Sequence, residues 1–87
     1  MTDTNLVATQ LAPIGGATNS GIKIGIVESG AKAAQNDTWI ITNASEVLHA
    51  EVRNDSSGTV DSVTTSTNIV TLAGTVTGAA TGTIYFR

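Results

Sequence analysis

His49 and Glu51 are the one pair of residues in this 87-residue chain whose types and spacing suggest a chemical site. On a strand, two positions apart means one face, so an imidazole and a carboxylate would project together and could give two ligands to a metal. Two ligands do not make a metal site, and a catalytic base needs a third group to orient it. The same spacing describes an exposed polar strand face, with Arg53 further along it placed to pair with Glu51. Several serines could stand beside His49 with Asp55 or Asp61 as the acid, but no nucleophile-elbow pattern frames any of them. The expectation is a protein that is not an enzyme, with no catalytic residue, cofactor or metal assigned.

Three weaker patterns are disposed of in the same way. Gly15 and Gly16 in IGGATNSG hint at a phosphate-cradling loop, but the lysine that should follow is missing and no clear strand precedes it, so the segment reads as a flexible joint. Asn54, Asp55 and Asp61 offer oxygens to calcium without the alternating ligand spacing of an EF-hand loop, and a solvated turn accounts for them. Sequons at Asn36, Asn43 and Asn54 are what a chain rich in Ser and Thr produces by chance.

Behind these residues must lie one small domain, since a chain this short cannot divide its burial between two cores. Its core is thin, with one Trp, one Tyr and one Phe, and without Cys it has neither disulfides nor thiolate zinc sites to reinforce it. Self-association or docking on a partner is the remaining route. Fifteen threonines, with Val and Ile outnumbering Leu, bias the chain toward pleated, half-buried strands. A net charge of −3 with only four basic residues, Lys23, Lys32, Arg53 and Arg87, leaves no footprint for nucleic acid. The opening residues lack a basic n-region and an apolar stretch, and no run reaches membrane-spanning length, so the expectation is a soluble chain made in the cytoplasm, with no membrane partner.

Along the chain, residues 1–21 read as an extended N-terminal arm in which Leu6, Val7, Leu11 and Ile14 are dispersed without period; it is either loose or ordered on a neighbouring subunit. Residues 22–87 form the β domain. Ile22, Ile24 and Ile26 alternate with Lys23 and Gly25, which predicts a half-buried strand with the isoleucines on one face. Gly30 then punctuates, and residues 31–37 are either a connection or a single helical turn before a second strand at Trp39, Ile40 and Ile41. Residues 45–53 suit a capped helix or a strand, and strand is favoured because Leu48, Ala50 and Val52 alternate with His49, Glu51 and Arg53. NDSSG at 54–58 is the best turn, joining that strand to GTVDSVTTS as a hairpin or a loop-linked pair. Val70, Leu72 and Val76 share a face of a long strand, TGAATG turns the chain, and Ile84 with Phe86 returns as a C-terminal antiparallel hairpin. The fold class expected is all-β, a small antiparallel β-barrel or β-sandwich with an extended N-terminal arm.

The arm TNLVATQLAPIGGATNS, the cysteine-free β domain and the Thr/Gly/Ala-rich ending TNIVTLAGTVTGAATGTIYFR together resemble the small capsid decoration, or cement, proteins of tailed bacteriophages. That resemblance implies a homo-oligomer, trimer or dimer, on the capsid surface of the virion, bridging and stabilising subunits of the major capsid protein. Leu6, Val7, Leu11 and Ile14 are then the arm's anchors, and Trp39 and Tyr85 are interface aromatics or core. The alternative is a tail-fibre, receptor-binding or carbohydrate-binding adhesion module, which would use the same aromatics on a glycan.

Overall fold

The computed structural model describes residues 3–10 and 22–87, and every regular element among them is a β-strand. The strands are β1 (Asp3–Leu6), β2 (Thr9–Gln10), β3 (Lys23–Lys32), β4 (Asp37–Ile41), β5 (Val47–Asn54), β6 (Val60–Asp61), β7 (Val63–Ser66), β8 (Ile69–Leu72) and β9 (Gly78–Phe86). They make a four-stranded sheet, β1-β4-β8-β7, and a five-stranded sheet, β2-β3-β9-β5-β6. All pairings are antiparallel except β1 with β4. The sheets do not close into a barrel, so that half of the expectation is corrected. One apolar cluster draws on both, with Trp39, Ile41, Val70 and Leu72 from the smaller sheet and Val27, Val52, Ile84 and Phe86 from the larger.

Residues 3–10 do not stand apart from the domain. Asp3–Leu6 lies parallel to β4, Thr9–Gln10 pairs with β3 in the other sheet, and Asn43 fastens the crossing between them. The Asn43 amide accepts from the Ala8 N–H at 2.9 Å and donates to the Ala8 carbonyl at 3.0 Å, reproducing a ladder pair where no strand is available. Leu6 is half-buried against the core, while Val7, at the crossing, is 65% exposed. Leu11 and Ile14 lie outside the described residues.

Helix does not form at 45–53. β5 occupies this stretch, with a bulge between Val47 and His49 against β9. The extra residue rotates Leu48 outward and puts Val47 into the core, correcting the expected alternation of Leu48 with His49. NDSSG makes the expected turn and pairs β5 with the short β6. Asn54 organises it: its Oδ1 accepts from the Ser56 N–H at 3.1 Å and the Ser57 N–H at 2.9 Å, and its Nδ2 donates to the Thr77 carbonyl at 2.9 Å. Because that buried amide also ties the turn to the segment before β9, Asn54→Ala should lower stability by about 1–3 kcal/mol. Asn54→Asp keeps the acceptor for Ser56 and Ser57 but sets a carboxylate oxygen against the Thr77 carbonyl in a buried site, so it should destabilise as well; urea unfolding midpoints measure both.

The C-terminal hairpin is not formed. β8 stays in the smaller sheet between β4 and β7, whereas β9 crosses to the centre of the larger one between β3 and β5. GAATG is therefore strand, not turn, and Val76 is exposed in the connection. The reason is steric. A Cβ at Gly82 would lie 2.7 Å from Cζ3 of Trp39, so glycine at the middle of β9 is what lets the indole from the opposite sheet rest on the backbone. The small residues form the seat of the core's largest ring.

Candidate interaction face

The same packing decides which face of β3 turns inward, and it is not the isoleucine face. Gly25 and Val27 are buried, while Ile22, Ile24 and Ile26 are half-buried on the outside. A Cβ at Gly25 would meet Cε1 of Phe86 at 2.8 Å and Cβ of Ala8 at 3.0 Å, so the inner space beside β3 is already filled from β9 and from the crossing after β1. The branched bulk is left on the outer surface of the five-stranded sheet.

Cross-strand register arranges that surface in rows. Ile24, Tyr85 and His49 form one, Ile26, Thr83 and Glu51 the next, and Glu28, Thr81 and Arg53 the third, each running from β3 over β9 to β5. Tyr85 is 38% exposed, and its ring meets His49 with centroids 6.0 Å apart, tilted by 54°. His49, Glu51, Thr83 and Tyr85 line a shallow open depression. Arg53 reaches Glu51 at 3.4 Å, an exposed contact of little energetic weight, and donates to the Gly58 carbonyl at 2.9 Å.

The chemistry first suggested by sequence is not assembled here. Asp55 accepts a hydrogen bond from Thr81 at 2.8 Å, and Asp61 is engaged by Lys32, so neither acid serves His49. Among the described residues no three His, Cys, Asp or Glu side chains are grouped to hold a metal ion. Asn43 and Asn54, two of the sequon residues, have their Nδ2 atoms committed to the Ala8 and Thr77 carbonyls. Trp39 is 1% exposed and belongs to the core, which takes it off any surface of the folded monomer.

A buried ion pair was not anticipated. At the end of the molecule away from Val7, a cavity of about 200 Å³ is lined by Lys32, Asn54, Val60, Asp61, Val76 and Gly78 among others. Lys32 Nζ lies 2.7 Å from Asp61 Oδ2 with both side chains nearly inaccessible, and it donates to the Gly74 carbonyl at 2.6 Å. Asp61 Oδ1 accepts from the Gly74 N–H at 2.7 Å. The lysine's charge is matched internally, which makes the cluster a clamp between β3, β6 and the loop after β8 rather than a trap for an anion. A lysine and an aspartate 29 positions apart carry no local signal of this.

No family model matches the chain, no curated protein is significantly similar to it, and no solved structure matches its fold.

Proposed function

We propose that this is a structural protein of a virion, a decoration or cement protein that binds the outside of a tailed-phage capsid and stabilises it by bridging major capsid subunits. The finer fold in this proposal is a β-sandwich whose N-terminal residues 1–21 carry the shell contact. One observation supports it most: the apolar bulk this small chain owns is divided between core and surface. Val7 is 65% exposed at one end of the molecule, and Ile22, Ile24, Ile26 and Tyr85 face outward across one sheet. Branched apolar residues left on a strand face are stabilised when another protein covers them. Many copies on a lattice then reinforce one another through effective concentration, so that no single contact need be strong. The protein is made in the host cytoplasm and ends on the capsid surface.

The experiment is co-sedimentation with empty expanded shells assembled from the major capsid protein of the genome that encodes the chain. Saturable binding at a fixed ratio to capsid subunits is expected, weakened at least about tenfold by Val7→Asp, a change at an exposed position that leaves the fold in place. Absence of binding rejects the assignment. The rival class, a tail-fibre or carbohydrate-binding module, rests on the Tyr85 and His49 rings, since Trp39 is enclosed. Glycan binding abolished by Tyr85→Ala, with no shell binding, would establish it instead.

A further inference from the structure

We infer that the outer face of the five-stranded sheet is the seat of a second copy of this chain, docked about a two-fold axis that runs along β9. This deepens the proposal above by naming a second copy of the chain as the partner of that face. Its test reads the free protein, so its failure would leave shell binding standing.

The inference starts from the third row of the face. Glu28 and Arg53 stand on β3 and β5, one strand to either side of Thr81 on β9. Adjacent strands are about 4.8 Å apart, so the carboxylate and the guanidinium are offset by similar distances to left and right of the central strand. Facing sheets pack with their strands aligned to within about 30°, which leaves two ways for this face to meet itself by a dyad: an axis along the strands or one across them.

The axis along β9 exchanges β3 with β5. Glu28 of each copy then faces Arg53 of the other, giving two opposite-charge contacts, with the Tyr85 rings, Thr83 and Thr81 meeting their own counterparts on the axis. Ile24 comes over the His49 ring. Glu51 comes over Ile26 and keeps Arg53 of its own chain beside it. Facing sheets lie about 10 Å apart, a gap that Glu and Arg side chains together can span. The axis across the strands has the opposite effect. Centred on the middle row it sets Glu51 against Glu51 and Arg53 against His49, and moved half a row toward Arg53 it only exchanges the Glu51–Arg53 contact that each chain already makes at 3.4 Å. Charge selects the first arrangement, and the half-buried isoleucines supply apolar area in it.

Sedimentation of the full chain over a range of concentrations tests this. Wild type is expected to reach the mass of a dimer. Glu28→Arg and Arg53→Glu, each of which creates two like-charge contacts, should each weaken association at least about tenfold. The exchange of both, Glu28→Arg with Arg53→Glu, should restore it to within about threefold of wild type. Both positions are exposed, and far-ultraviolet circular dichroism confirms the fold. Tyr85→Lys, which sets two ammonium groups on the axis, provides a third variant that should remain monomeric. A wild type monomeric at every concentration overturns the inference. So do single reversals that leave the mass unchanged, or a double exchange that fails to restore the dimer.

Discussion

Asp61→Ala should cost the domain about 3–5 kcal/mol, because it leaves the Lys32 ammonium enclosed without its counter-charge. The Lys32 and Asp61 side chains are 1% and 7% exposed, so the ammonium stays in a largely enclosed site with no second charge to balance it. The same substitution removes the acceptor of the Gly74 N–H, whose bond to Asp61 Oδ1 is 2.7 Å long. Against a typical domain stability of about 5–15 kcal/mol, this brings the protein close to its unfolding threshold. The discriminating measurement is a double-mutant cycle by urea denaturation. Lys32→Met with Asp61→Leu removes both charges together and should recover a substantial part of the loss. Recovery should be incomplete, since the Gly74 N–H and carbonyl each lose a partner in the double variant. Additive single effects would mean that the ammonium and carboxylate do not depend on one another.

The clamp also marks where the chain changes sheets. β6 pairs with β5 at Val52–Asp61 and Arg53–Val60, and two residues after Asp61, β7 begins in the opposite sheet. The Ser62 carbonyl at this corner accepts from the Ala73 N–H at 2.7 Å, and Lys32 draws the end of β3 to the same point. The turn before β6 could be read from the sequence because its chemistry is local: an Asn side chain caps the N–H groups of Ser56 and Ser57, and a Gly follows. The corner could not be read, since its partners are brought together only by the finished fold.

A similar division explains which parts of the candidate face were legible. Alternation identified β3 and set Tyr85 on the strand face opposite Ile84 and Phe86, and period two held along most of β5. What alternation does not encode is which of two faces turns inward. At β3 the rule that the apolar side faces the core failed because Phe86 and Ala8 already fill the space over Gly25. At β9 the run GAATG had the composition of a turn, and only the Trp39 ring beneath it explains why a strand needs such small residues. The isoleucine face of β3 therefore became the surface best suited to a partner. Trp39, considered for that surface, became the centre of the core.

That exchange of roles gives the second large effect. Trp39→Ala should cost about 3–5 kcal/mol, the usual range for emptying a buried aromatic site. In the wild-type background Gly82→Ala should itself cost about 1–3 kcal/mol, because the new methyl would lie 2.7 Å from Cζ3 of Trp39, 3.1 Å from Cγ2 of Val27 and 3.3 Å from Cγ2 of Val52. Once the indole is gone, the tightest of those contacts disappears. The methyl added at position 82 then fills part of the cavity and narrows the conformational freedom of the unfolded chain, which favours the folded state. Gly82→Ala should thus change sign, from destabilising with Trp39 present to neutral or stabilising in the Trp39→Ala background. Chemical denaturation of the four proteins reads this directly. A penalty of the same size in both backgrounds would show that Gly82 is required by the sheet's own backbone rather than by the ring packed upon it.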